Sequence, residues 1–435
     1  MSTTAKPTPN QALWSITGPM LISNLSVPLL GIVDTAVLGH TDSPIDLAAV
    51  ALGSALITTL FWAFGFLRMG TTGLTAQDYG RSGVAPVLRL QQSLMIAASA
   101  GAIVWLSSYF WLTPLSALIA PEGELSVLVS AYSEIRIWGM IPALGLYAVN
   151  GWFIGIGDAK TPLKLMVLVN LINIVGDLVL VAWLDYGAVG AAWATLFAEV
   201  TTALAALLLI AQRRFQLFSR RHGALLKGLS RFIQANTALM VRTLILLGCI
   251  LYFNARGAAL GTNIAAANAV LYQLVALSAF LLDAYAHALE TFVGRYIGQD
   301  DRDQFQRFNR VAFHWSAGSA IGFSVAFALS GPLLIQLMTD QAETVLTANQ
   351  YLWWVVVLPI ASVLSYQYDG VFIGAGAFKA MCAVMIAAGL VFFAIIAVTQ
   401  HLGNHGLWMA FLGLNLSRSI GMWLVFKQLA PRWFI

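Results

Sequence analysis

Twelve apolar stretches of helical length run along the 435-residue chain, near 11–39, 45–79, 87–118, 126–154, 161–183, 187–211, 233–257, 263–297, 305–334, 345–374, 377–400 and 404–428. A helix needs about 20 such residues to cross the ~30 Å hydrocarbon core, whereas barrel strands would show ~10-residue alternation. In lipid each backbone N–H and C=O must be bonded internally, and a helix does this within one segment. Only 10% of residues are charged and 59% are hydrophobic, against roughly 25% charged in soluble domains. The pattern predicts an all-α integral membrane protein with twelve transmembrane helices.

The opening "MSTTAKPTPN" lacks the basic and short apolar regions of a signal peptide, so the first span is expected to be retained. Cys249 and Cys382 stand alone in their segments, which argues against a disulfide framework or a metal-spaced cysteine pair.

Orientation follows from the basic residues. With the amino terminus placed inside, all but five of the 23 Lys and Arg fall on cytoplasmic segments, from Lys6 to Arg432. The five, Arg68, Arg136, Arg242, Arg256 and Arg418, lie within or at the ends of spans, and Arg136 with Glu134 is expected near an interface. The opposite loops collect Asp42, Asp46, Glu122, Glu124, Asp185, Asp340 and Glu343. Both termini are therefore expected in the cytoplasm. The net charge of +4 becomes a consequence of topology, so no nucleic-acid partner is implied.

The halves resemble each other. "NGWFIGIGDAK" (150–160) aligns with "DGVFIGAGAFK" (369–379), and "GAVGAAWATL" (187–196) with "GNHGLWMAFL" (403–412) in the same order. An even number of spans per half preserves orientation. The expected organisation is two pseudo-symmetric six-helix bundles, 1–211 and 233–435, joined by a basic cytoplasmic loop at 212–232. Transporters commonly bind substrate between such repeats.

Charges inside spans mark candidate sites, because a charge at the bilayer centre costs about 2.5–3.5 kcal/mol on insertion scales. Span one carries Asp34, with Pro19 and Pro28 above it as candidate hinge residues. Span five carries Asn170, Asn173 and Asp177 at i, i+3, i+7, on one helical face, and span six carries Thr195 and Glu199. Burial disfavours an ionised carboxylate and two close together resist joint ionisation, so Asp34 and Asp177 could hold and release a proton. The same oxygens would also suit a hard monovalent cation. In the second half, Asp283 and Glu290 share a face of span eight and Asp369 ends an aromatic run in span ten. These are secondary candidates, with Arg242, Arg256 and Arg418 as possible structural partners. The histidines sit at loops or span ends, and no metal site is expected.

These features together resemble the multidrug and toxic compound extrusion (MATE) family of the MOP type, and within it the DinF-like branch. The resemblance covers nearly the whole chain and rests on "GIVDTAVLGH", "NGWFIGIGDAKTPL", "NLINIVGD" and "GAVGAAWAT" in order. It implies a coupling site of Asp34, Asn173, Asp177 and Thr195, a bend of span one at Pro19, and Asn150 as a substrate contact. Asn170 remains a possible cavity lining. The acid that other branches carry in span seven has no counterpart in "LYFNARGAALG".

The implied activity is export of amphiphilic, often cationic drugs from the cell across the inner (plasma) membrane. Alternating access would be driven by inward H⁺, with Na⁺ as the alternative coupling ion and no other cofactor. A monomer in the lipid bilayer is expected. A lipid-linked precursor flippase of the same superfamily is a further alternative, disfavoured by the acidic amino-terminal cavity. An intramembrane enzyme would need a nucleophile with its base or a metal set, and neither pattern is evident.

Overall fold

The computed structural model describes residues 7–39, 43–84, 86–120, 123–212, 226 and 228–434, and for 27–36 and 39 the backbone alone. Asp34 and Pro28 thus have backbone positions in the first helix, while their side chains lie outside the described residues, as does most of the 212–232 loop. Every regular element described is helical. Eleven spans are long and apolar enough to cross a membrane, and the first helix, α1 (Pro9–Gly39), is a twelfth of that length.

The others follow in order. α2 runs Pro44–Ala63 and, after a turn, Phe66–Ser82; α3 is Val87–Ile119; α4 is Gly123–Arg136 and Met140–Gly155 around a 3₁₀ turn. α5 is Lys160–Asp177 with a π-helical extension Leu178–Trp183, and α6 is Gly187–Gln212. α7 is Leu229–Ala259, α8 Thr262–Gly298, α9 Arg302–Met338, α10 Ala342–Ala375, α11 Phe378–Thr399 and α12 Asn404–Leu429. Each lies within a few residues of its expected span. The break in α4 has a local cause. Pro142 cannot donate to the carbonyl of Trp138, and restarting the helix at Met140 puts it in a first turn, where no such bond is needed. Polar side chains set other boundaries: Ser43 accepts from the Asp46 N–H at 3.4 Å to start α2, and Asp301 from Gln304 at 3.0 Å to start α9.

The chain forms two compact units. One holds 22–75 and 85–233; the other holds 1–21, 76–84 and 234–435. The two amino-terminal stretches in the second unit are pinned there by side chains far along the sequence. Trp14 meets the Trp315 and Tyr285 rings at 5.1 and 6.1 Å, and Trp315 donates to Asn10 at 3.0 Å. Gln77 donates to the Gly374 carbonyl at 2.8 Å, and the Arg295 guanidinium lies 4.9 Å from the Tyr79 ring centre. Apolar side chains such as Tyr109 and Leu329 face outward, as lipid-exposed helices require.

The sequence repeat is a packing repeat. A Cβ on Gly151 would come within 3.0 Å of Thr71 Cβ on α2, and one on Gly155 within 2.7 Å of Thr75 Cβ. At the equivalent positions, a Cβ on Gly370 would meet Leu289 Cβ of α8 at 2.7 Å, and one on Gly374 the Glu290 carbonyl at 2.9 Å. In each half small residues let span four (or ten) lie directly on span two (or eight), the arrangement GxxxG pairs permit in membranes. The second motif is matched too: Gly187 and Gly403 open α6 and α12 at φ +50° and +56°, which suits glycine.

Candidate functional site

The "NGWFIGIGDAKTPL" stretch builds the entry to α5. The Asp158 carboxylate accepts from the Thr161 N–H at 3.0 Å and from its hydroxyl at 2.7 Å, fixing the first turn of the helix. From there the i, i+3, i+7 spacing carries Asn170, Asn173 and Asp177 along one face. Asn173 and Asp177 are buried, at 0% and 1% exposure, while Asn170 is half-buried. A span of uniform α-helix is the expectation from sequence. Instead the helix widens into π geometry immediately after Asp177, with Leu184 donating to Val179 at 3.0 Å and Tyr186 to Leu180 at 2.9 Å. Single π turns recur at functional sites because the inserted residue re-aims the side chains around it.

α6 lies against this face. Gly176 allows the approach, since a Cβ there would stand 2.8 Å from Ala194 Cβ. The next residue, Thr195, accepts from Asn173 Nδ2 at 3.2 Å and donates its own proton to the Ala191 carbonyl at 2.9 Å. That order has a consequence. Because the hydroxyl proton is committed to Ala191, Thr195 can only accept from Asn173, so the amide must present its nitrogen to α6 and its oxygen elsewhere. Asn173 Oδ1 is buried and has no hydrogen-bond partner. The site therefore offers an oriented, desolvated carbonyl oxygen one turn from a buried carboxylate. Leaving such an oxygen unmet costs about 1–3 kcal/mol, which a proton donor or cation would relieve.

Other expected residues are placed as follows. Asn150 is half-buried, with its Oδ1 enclosed and unbonded, on α4. Pro19 lies within an unbroken α1, two residues before the chain passes from one unit to the other between Leu21 and Ile22. A wholly apolar cavity of about 380 Å³ surrounds Pro142, between α3, α4 and α6, and none of the candidate polar residues lines it.

Two charged groupings read differently from expectation. Arg136 is buried at 6% exposure and does not snorkel to an interface. It makes a two-pronged pair with Glu199, 2.8 and 2.9 Å, while Glu134 points out. Glu199 is thus tied to a guanidinium. Asp369 accepts on one oxygen from both Arg242 and Arg418, the latter at 3.0 Å. Asp283 and Glu290 come together through His287, at 3.2 and 3.6 Å. Sequence reading placed the histidines at loops or span ends, and His287 is instead buried within α8. Its i−4 and i+3 acids were the signal that could have found it. Among the described residues no cluster of metal-ligating side chains occurs.

Helices of membrane length in two sequence-repeated halves, with buried carboxylates on their inner faces, define a multi-pass membrane transporter. The chain belongs to the MatE family: the family profile matches twice, at residues 19–179 and 237–399. It is 39% identical to DNA damage-inducible protein F of Escherichia coli, over 96% of this chain and 92% of that protein. It is 22% identical to the probable multidrug resistance protein NorM of Bacillus cereus, over 81% and 79% of the two chains. A MOP superfamily transporter from Pyrococcus furiosus superposes with TM-score 0.86 at 20% identity, covering 98% and 97%. An outward-facing multidrug resistance MATE transporter gives the same score and coverage. The family's members are transporters acting on small molecules in a membrane, not enzymes.

Proposed function

We propose that this protein is an H⁺-coupled antiporter that exports amphiphilic, often cationic compounds by alternating access. It would sit in the inner membrane as a monomer with both termini cytoplasmic and lobes at 1–211 and 233–435. Asp34 and Asp177 take up the proton, Asn173 and Thr195 hold the acid's hydrogen-bond network, and Asn150 and Asn170 line the substrate path. Pro19, with Pro28 beyond it, is the hinge through which α1 responds. The observation that carries the reading is the buried Asp177–Asn173 face, with Asn173 oriented by Thr195 across α5 and α6.

Proton and substrate would each favour opposite-facing states, so their binding free energies are coupled. The unbonded Asn173 oxygen favours Na⁺ as a second reading, since a carboxylate and an amide carbonyl are ligands for a hard cation. The flippase alternative needs a basic central cavity for a pyrophosphate, with free cations deep within the spans. Arg418 is spent on Asp369, and the cleft beside Arg256 holds about 20 Å³. Efflux from proteoliposomes under a pH gradient or a Na⁺ gradient, imposed singly, tests the proposal. Each pH unit is worth 1.36 kcal/mol per proton, about a tenfold substrate ratio at one-for-one exchange. Asp177→Asn should reduce that ratio to one while the protein stays folded. Wild-type accumulation by Asp177→Asn, or drive by Na⁺ alone, would overturn the H⁺ assignment.

A further inference from the structure

A cavity of the second unit is lined by none of the residues proposed above for coupling or substrate. It encloses about 630 Å³ between the start of α9, the middle of α10 and the end of α12. That is roughly the size of ordinary ligand sites. Its rim carries Arg302, Arg310 and Lys427. Arg302, Gln306, Asn309, Arg310 and Phe313 follow one another at helical spacing, so α9 turns a single face to the cavity. Among the described residues none of the three cations is paired with a carboxylate, and Asp301 beside them is engaged in capping α9. Lys427 Nζ stands 3.6 Å from the Trp423 ring centre, a cation held over an aromatic face.

Side chains from α9 and α10 tie the cavity walls together. Gln367 donates to Asn309 Oδ1 at 2.7 Å and to its carbonyl at 3.2 Å, linking α10 to α9. Phe305 packs on Phe434 at 5.2 Å and Tyr368 on Phe426 at 4.9 Å, closing the cavity from below with rings. From the rim along the helices away from their ends, apolar side chains are exposed, Phe313 on α9, Ile360 on α10, and Trp423, Ile420 and Leu416 on α12, with His314 an exposed polar residue on α9. Three cations at a helix-end rim, continuous with an apolar lipid-facing track, match one amphiphile.

We propose that this cavity binds a phospholipid with an anionic headgroup, the phosphate held by Arg302, Arg310 and Lys427 and the acyl chains lying along Phe313, Ile360 and Ile420. Basic pockets between spans recognise anionic headgroups in this way. The location requires only that the rim be at a membrane surface, whichever side it faces, and is independent of the coupling reading.

The test is lipid binding to the purified full-length protein, by native mass spectrometry and by lipid-dependent thermal protection. The probes are phosphatidylglycerol, phosphatidylcholine and soluble glycerol 3-phosphate. Phosphatidylglycerol should bind and protect selectively. Each cation near the surface is worth about fivefold, so the exposed triple change Arg302→Gln, Arg310→Gln, Lys427→Gln should weaken it by about 100-fold. Arg310→Gln alone should cost about fivefold. Arg307→Gln, exposed on the same helix but outside the cavity, should change nothing. Equal binding of the two phospholipids, unchanged phosphatidylglycerol binding by the triple variant, or equal binding of glycerol 3-phosphate would each overturn the proposal.

Discussion

Removing Glu199 separates structural from coupling charges most directly. The acid lies one turn beyond Thr195 on α6, next to the proposed coupling face. In the structure both its oxygens meet the Arg136 guanidinium, at 2.8 and 2.9 Å, with the side chains 7% and 13% exposed. The guanidinium also lies 5.5 Å from the Phe61 ring centre. Glu199→Ala would leave a guanidinium that cannot deprotonate without its counter-charge. Breaking a buried pair from one side costs about 3–5 kcal/mol, whereas replacing both partners by apolar residues of similar volume is often neutral.

Thermal unfolding in detergent should therefore show Glu199→Ala strongly destabilised and Arg136→Met/Glu199→Leu near the wild-type midpoint. The double variant should also keep gradient-driven efflux, because Asp177, Asn173 and Thr195 are untouched. A stable double variant that has lost coupling would refute the reasoning, since it would make Glu199 a member of the transport site. A single variant no less stable than the double would refute it differently, by showing that the pair carries no burial cost.

Three further outcomes follow from the same geometry. Thr195→Val removes the acceptor that orients Asn173; at about 1–2 kcal/mol for the lost bond, the half-saturating concentration of the driving cation should rise roughly tenfold in proteoliposome assays. Asp369→Asn leaves Arg242 and Arg418 buried without a counter-charge and should cost stability in the 3–5 kcal/mol range, seen in thermal unfolding and partly restored by adding Arg418→Met. Pro19→Ala returns an N–H for the Ser15 carbonyl; if the bend of α1 gates transport, turnover should fall while equilibrium drug binding in fluorescence titrations is unchanged.

The fold was legible because the bilayer reduces it to one dimension: apolar length sets each span. What escaped was contact at a distance. Arg136 reads as an interfacial residue because its partner is 63 positions away, and although Arg242 and Arg418 are possible partners for the acids of the second half, spacing alone does not say that both meet Asp369. Local spacing did find Asn173 and Asp177, since a shared helical face is written at i, i+4. It could not show that the helix turns π at Leu178, because that geometry follows from packing. Nor could it show that Thr195 fixes the Asn173 amide, a matter of which hydroxyl proton is already spent. The buried charges nonetheless sort by one criterion. Glu199 and Asp369 are met across helices by guanidinium groups, Glu199 on both oxygens and Asp369 on one. The α5 face pairs instead an amide with a hydroxyl, Asn173 with Thr195, one turn from Asp177. That uncharged pair is what sets the proposed coupling face apart from the guanidinium-bound acids.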